Sequence, residues 1–81
     1  MSAPDAPNRP ELPPVYAVYN RPKDYPNELV ARAWYGEEPG SIVARAPDLM
    51  ALRAQLLERT DARVRFDPRI NDDPAIIEVW L

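Results

Sequence analysis

Short runs of apolar and aromatic residues, separated by prolines and glycines, predict five strands and one helix after residue 14. Residues 15–19 are β-branched or aromatic, as is typical of a strand, and the proline-containing stretch 21–27 interrupts any continuation of the ladder. Residues 28–35 alternate again, and a reversal at 36–40 leads into a strand over 41–45, which predicts a hairpin. Two shorter strands are predicted over 63–66 and 75–81, separated by a polar loop.

The segment 47–59 has the spacing of an amphipathic helix. Pro47 suits the first helical position and Asp48 suits the positive end of the helix dipole. At about 100° per residue the apolar side chains form one stripe, which Met50 and Leu57 widen. The stripe consists of Leu49, Leu52 and Leu56.

Arg53 is the charged residue between the two groups of apolar positions on this helix. In one interpretation its aliphatic stem lies on apolar neighbours while the guanidinium reaches water. In the other, it has a buried partner such as Glu78. Both interpretations are structural.

The predicted element order is β-β-β-α-β-β, which indicates a two-layer α+β fold. It has an antiparallel or mixed sheet of four to five strands with the helix on one face, so the other face is open or only partly covered. We expect residues 15–81 to form one small α+β domain and residues 1–14 to be a disordered proline-rich tail. Prolines at every third position from Pro4 to Pro13 match polyproline II and create overlapping PxxP motifs, although a solvated leader is the simpler interpretation.

Composition excludes several classes of function. The 81 residues contain no Cys and no His, which removes disulfides, thiolate chemistry, and the commonest general base and metal ligand. The net charge of −3 argues against nucleic-acid binding. No apolar run is long enough to span a bilayer and the start lacks the features of a secretory signal, so we expect a cytoplasmic location and no membrane contact.

Several separated motifs carry a resemblance to a known group. They are residues 16–26 (YAVYNRPKDYP), 30–32 (VAR), 72–74 (DDP) and 77–81 (IEVWL). With these motifs the chain resembles a group of small, uncharacterised bacterial proteins that share a "YDRPKDYP…VAR" opening and a "DDP.I.E.W" ending. The likeness covers roughly residues 15–81. It implies a bacterial or phage origin and a small domain, and it implies no activity, ligand or catalytic residue.

Strand alternation divides the side chains between the two faces of the sheet. If charged residues mark the solvent side, residues 30, 32 and 34 of the second strand, 43 and 45 of the third, and 76, 78 and 80 of the last face away from the helix. Ile42, Ala44, Ala46, Ile77, Val79 and Leu81 then lie beneath it. In the first strand, either Tyr16 and Val18 or Val15, Ala17 and Tyr19 face the helix.

The open face would then have the composition of a protein-binding patch, because Trp and Arg dominate interface hot spots. The predicted protein-binding residues are Trp34, Trp80, Arg32, Arg45 and Glu78. The structural alternative is packing within the monomer, in which the indole rings lie on aliphatic stems and Arg32 pairs with Glu78. Stacking of two such faces into a homodimer would use the same surface.

Two chemical alternatives are weaker. The acidic loop with Asp67, Asn71, Asp72 and Asp73 lacks the spacing of a calcium site. A carboxylate enzyme would need a pair such as Asp24 and Asp72, with Tyr25 assisting, and nothing fixes their separation.

The sequence thus predicts a non-enzymatic protein-interaction module, an adaptor, accessory or inhibitor protein, that binds through the open sheet face or an edge strand. A self-associating structural homodimer is the alternative, and a carboxylate enzyme comes third. We expect no cofactor, no metal and no small-molecule ligand.

Overall fold

The computed structural model describes residues 13–68 and 73–81, which form five strands and one helix. Their order, β-β-β-α-β-β, confirms the predicted α+β class. The elements are β1 (Val15–Asn20), β2 (Leu29–Tyr35), β3 (Glu38–Ala46), α1 (Leu49–Arg59), β4 (Arg65–Phe66) and β5 (Ile76–Trp80).

The five strands form one antiparallel sheet in the order β3-β2-β1-β5-β4. β1 lies at the centre, between β2 and the terminal strand β5. α1 packs on β3 and β2, and the chain then crosses to the opposite edge of the sheet, where the two-residue strand β4 pairs with β5. The helix therefore covers one face of the sheet, and within residues 13–68 and 73–81 no helix lies on the other face.

The hairpin between β2 and β3 is tighter than the sequence suggests. Tyr35 pairs with Glu38, so the turn contains only Gly36 and Glu37, and β3 begins three residues before the predicted strand. Gly36 has a φ of 67°, a left-handed conformation that glycine adopts without steric cost and that a type II′ hairpin turn requires at this position.

Three register shifts, two between β2 and β3 and one between β1 and β5, change which residues share a face. Ala31 pairs with Ala44 whereas Arg32 pairs with Ile42, so Val43 is an extra residue in β3. Because Ile42 lies opposite Arg32, the prediction that places Ile42 beneath the helix is wrong, and Val43 instead packs against the core.

A further bulge lies in the terminal strand β5. Val18 pairs with Glu78 and Tyr19 pairs with Ile76, so Ile77 is the extra residue in β5. Ile77 and Trp80 pack on the core, and Glu78 between them also faces α1. The bulge therefore reverses the alternation between the start and the end of this strand.

The helix begins two residues later than predicted because Asp48 caps it rather than entering it. Asp48 has extended backbone angles, and its Oδ1 accepts a hydrogen bond from the Ala51 amide at 2.8 Å. Leu52 and Leu56 are fully buried. Met50 is 82% exposed and Leu57 is also exposed, so the prediction that these two residues widen the apolar face is wrong.

The core lies between α1 and the sheet. It resolves the ambiguity of the first strand, because Tyr16 and Val18 face the helix while Val15, Ala17 and Tyr19 face the open side. The buried cluster consists of Val18, Leu29, Ala31, Ala44, Ala46, Leu52, Leu56, Ala62 and Trp80.

Side chains of α1 cover part of the exposed edge of β3. The Arg45 amide donates to Gln55 Oε1 at 3.3 Å, and Arg59 Nη1 donates to the Val43 carbonyl at 3.2 Å. These bonds satisfy backbone groups that an edge strand otherwise offers to another chain.

The predicted tail lies mostly outside the described residues. Residues 1–12 are not described, and Pro13 and Pro14 precede β1 without belonging to a strand.

The N-cap gives a first test of the fold. Replacement of Asp48 by Ala removes the acceptor for the Ala51 amide and should lower the free energy of unfolding by about 1 kcal/mol, whereas Asp48→Ser should retain most of it. Urea unfolding followed by circular dichroism measures both variants. Equal stability of Asp48→Ala and the parent would contradict the assigned cap.

Candidate functional site

The two tryptophans lie on opposite faces of the sheet. Trp34 pairs with Val15 on the open side, but Trp80 pairs with Tyr16 and belongs to the core cluster beneath α1, where it is 8% exposed. The prediction that both indole rings face away from the helix is therefore wrong for Trp80.

The prediction that Glu78 faces away from the helix, which was based on its charge, is also wrong. Its residue exposure is only 3%, and it faces α1 from the position opposite Val18. Arg53 on α1 donates to both carboxylate oxygens, through Nε to Oε1 at 3.2 Å and through Nη2 to Oε2. Trp80 Nε1 donates to Oε1 at 3.1 Å. The charge is buried because these three donors satisfy it.

The same contacts set the pKa of the Glu78 carboxyl. Burial opposes ionisation and is the largest single effect, but the hydrogen bonds from Arg53 and Trp80, with the charges of Arg53 and Arg65, together outweigh it. The pKa of Glu78 consequently lies below its ordinary value of 4.5. The hydrogen bond to Glu78 is also the main reason that the pKa of Arg53 is raised.

The face of the sheet opposite α1 contains an open groove of about 800 Å³. We name it the open-face groove. The described residues that line it are Val15, Ala17, Tyr19, Trp34, Gly36, Glu37, Phe66, Asp67, Asp73, Ile76, Val79 and Leu81.

The strand order explains why this face is concave. Ala17 on β1 and Val79 on β5 are paired and form the floor, while the aromatic rings of Trp34 on β2 and Phe66 on β4 stand on the flanking strands. β2 and β4 are three strand spacings apart, roughly 14 Å. A small side chain at Ala17 between two large walls leaves the space.

The aromatic walls differ in how firmly they are held. Trp34 is half-buried, and its Nε1 donates to the Tyr19 hydroxyl at 3.1 Å, which ties the indole to β1. Phe66 is 46% exposed, and Leu81 is 51% exposed. These two exposed apolar side chains and the Trp34 ring therefore gather around one concavity.

Carboxylates lie at both ends of the groove. Glu37 follows the end of β2 that pairs with the start of β1, and Asp73 precedes Ile76, which pairs with Tyr19 at the other end. Asp67 lies beside Phe66 and forms an exposed ion pair with Arg65 at 3.1 Å. The described lining residues include no Lys or Arg.

Arg32 and Arg45 lie on the open side of the sheet but do not line the groove. Arg32 Nη1 donates to the Gly40 carbonyl at 2.8 Å, so the predicted alternative in which Arg32 pairs with Glu78 is wrong. The Arg45 guanidinium lies 4.8 Å from the centre of the Tyr25 ring, and its Nε is 3.9 Å from Glu28. Both guanidiniums have partners within the monomer.

Of the five predicted binding residues, Trp34 is the one that lines the groove. The sequence analysis missed the principal companions of Trp34, which are Tyr19, Phe66, Val79 and Leu81. Tyr19 could have been found from the alternative in which Tyr16 and Val18 face the helix, since Tyr19 then faces the open side. The signal for Val79 and Leu81 was their alternation, which the charge of Glu78 led us to assign to the wrong face.

The two chemical alternatives, a calcium site and a carboxylate pair, involve residues that are only partly described. No group of three or more potential metal-ligating side chains occurs within residues 13–68 and 73–81, and Asn71 and Asp72 lie outside the described residues. The postulated carboxylate pair of Asp24 and Asp72 therefore also includes a residue outside the described ranges. Tyr25 stacks against Arg45, which gives it a packing role at the corner between β1 and β2.

Comparison of the chain with protein-family models, with curated proteins and with solved structures finds no match. Within the described residues, none of the helical structure has the length and apolar character needed to cross a membrane. The geometry of the groove is thus the basis on which function can be argued.

The ion pair predicts a pH dependence of stability. A carboxyl with a lower pKa in the folded than in the unfolded chain stabilises the fold above its unfolded pKa, near 4.5, and this contribution is lost as the pH falls through the lower folded value. Glu78→Gln should lower the free energy of unfolding by about 1.5 kcal/mol at pH 7. The difference from the parent should shrink below pH 4.5.

Urea unfolding at pH 7 and pH 3 measures this difference. Glu58→Gln, an exposed change on α1, is the matched control and should leave the pH profile unchanged. The assignment fails if the deficit of Glu78→Gln is the same at both pH values.

The opposite placement of the tryptophans predicts unequal costs of truncation. Trp80→Ala empties a buried site and should lower the free energy of unfolding by about 3–5 kcal/mol, whereas Trp34→Ala at the half-buried groove wall should cost clearly less. Chemical unfolding measures both. If Trp80→Ala does not fold, Trp80→Phe provides the comparison. A larger loss for Trp34→Ala than for the Trp80 variants would contradict the assignment of faces.

Proposed function

We propose that this protein is a non-enzymatic protein-interaction module that binds its partner in the open-face groove. The observation that carries the proposal is a concave apolar surface, flanked by the rings of Trp34 and Phe66, on the face that α1 leaves bare. Aromatic side chains bury a large area at a low cost in conformational entropy and dominate binding hot spots. An adaptor, accessory or inhibitor role in the cytoplasm of a bacterium fits this description.

The groove is a better binding surface than the edge of β3. Gln55 and Arg59 of α1 already bond to outward-facing backbone groups of that strand, and Pro39 near its start has no amide hydrogen to donate. A partner strand would have to displace both side chains. Nothing comparable covers the described lining of the groove, so we favour the face over the edge.

A different protein is favoured over a second copy as the partner. Glu37 and Asp73 lie at opposite ends of the groove, so two grooves stacked face to face would bring carboxylates of both copies together, and the described lining residues include no cation to separate them. Like charges in a desolvated contact are costly. A partner that presents apolar side chains and a cation would have no such cost.

Capture with matched variants tests the proposal. The intact chain, Trp34→Ala and Met50→Ala are each immobilised and exposed to extract of the native cell, after circular dichroism has shown that all three are folded. Met50 is an exposed apolar residue on α1, away from the groove, and serves as the control. We expect one or more proteins that the parent and Met50→Ala retain and Trp34→Ala loses.

The captured protein is then purified and titrated against the same three chains. Loss of a hot-spot residue costs at least about 2 kcal/mol, so the Kd for Trp34→Ala should rise by about thirtyfold while that for Met50→Ala stays unchanged. Equal retention by Trp34→Ala and the parent would overturn the groove as the binding site.

A further inference from the structure

The open-face groove has a candidate ligand in the chain itself. We propose that the groove binds the proline-rich segment of the same chain, residues 4–10, in an extended polyproline II conformation. The inference rests on the proposed function, because it names an intramolecular ligand for the same groove. Three features of the molecule support it: the chemistry of the groove walls, the charges, and the place where the segment joins the sheet.

The walls of the groove suit a polyproline ligand. Proline-rich segments dock in grooves lined by aromatic rings, because their preformed helix loses little entropy on binding and presents a proline at every third position. Pro4, Pro7 and Pro10 have this spacing. The rings of Tyr19, Trp34 and Phe66 supply the aromatic lining.

The charges are complementary at one position of the segment. The groove has carboxylates at both ends and no lining cation among the described residues, while the segment carries Arg9 between two prolines. Residues 1–12 also contain Asp5 and Glu11, so the complementarity belongs to Arg9 and not to the net charge of the segment. An arginine bound to a groove carboxylate would fix the register of the prolines.

The segment joins the sheet at one end of the groove, and its length matches. It leads through Pro13 and Pro14 into Val15, which is itself a lining residue. Folded back along β1, Pro4 to Pro10 would span about 19 Å at 3.1 Å per residue. The six residues of β1 span about 17 Å, so the prolines reach the far end at Tyr19 and Ile76.

Attachment also makes a weak contact sufficient. A short flexible connection gives a tethered ligand an effective concentration in the millimolar range. A proline-rich segment with a Kd of that order would therefore occupy the groove of its own chain much of the time, and a partner protein would have to displace it.

Paramagnetic relaxation in the intact chain tests the proposal. The chain has no Cys, so Ser2→Cys allows a single nitroxide label beyond Pro4 without altering a proline or Arg9. If the segment lies in the groove, the label should broaden the amide signals of Tyr19 and Ile76, at the end far from the attachment, severalfold more than that of Ala54 on α1. An unbound segment would instead broaden residues nearest Val15 on both faces.

Two controls make the result specific. In the labelled chain, Pro4→Ala, Pro7→Ala and Pro10→Ala combined with Arg9→Glu should abolish the excess broadening at Tyr19 and Ile76. A mixture of isotope-labelled chain without nitroxide and unlabelled chain with nitroxide should show none, and broadening in that mixture would overturn intramolecular binding in favour of a second copy.

The outcomes separate this inference from the proposed function. Broadening confined to the Val15 end overturns the inference, while loss of captured protein with Trp34→Ala would still uphold the groove as a partner site. Broadening at Tyr19 and Ile76 supports the inference, and capture is then repeated with the chain that carries Pro4→Ala, Pro7→Ala, Pro10→Ala and Arg9→Glu, in which the segment no longer competes for the groove. Absence of Trp34-dependent capture by that chain would overturn an external partner.

Discussion

The buried carboxylate of Glu78 is the constraint on which both faces of the sheet depend. An ionised group at this position is tolerated only because Arg53 binds both oxygens and the Trp80 indole donates to one of them. The pair joins α1 to β5, although the helix packs mainly on β3 and β2. Because Glu78 must face the helix, its neighbour Val79 must face the other way.

The groove is a consequence of this alternation of side chains in β5. With Val79 turned to the open side, β5 contributes a branched apolar floor beside Ala17, and Phe66, which pairs with Val79, becomes the far wall. The bulge at Ile77 adds a second effect, since it lets Ile76 join the groove lining while Ile77 packs on the core. One ion pair and one extra residue thus place three β5 or β4 side chains around the groove.

Charge was a misleading guide to solvent exposure here. The prediction assigned Glu78 to water because unpaired carboxylates are rarely buried. The second interpretation of Arg53, in which it has a buried partner such as Glu78, is the correct one, and the two residues are 25 positions apart in the chain. A single Arg on the apolar stripe of the helix and a single Glu in an apolar strand, considered together, predict a buried ion pair between the two.

The local pattern of the sequence was sufficient for the elements themselves. The strands, the hairpin at Gly36 and the apolar stripe of Leu52 and Leu56 follow from steric preferences and periodicities that act over a few residues. Alternation in β2 also predicts the face of Trp34 correctly, because the bulges between β2 and β3 insert their extra residues in β3 and leave β2 regular.

What only the tertiary structure decided is how those elements meet. Local alternation cannot locate a bulge, and a slip of one residue exchanges the two faces of a strand, as it did for β5 and for Ile42 in β3. The position of β5 between β1 and β4 brings Tyr19, Trp34 and Phe66 around one groove, although they come from three separate strands. Sequence determined the residues and their short-range geometry, whereas pairing over long separations determined which of them became a surface.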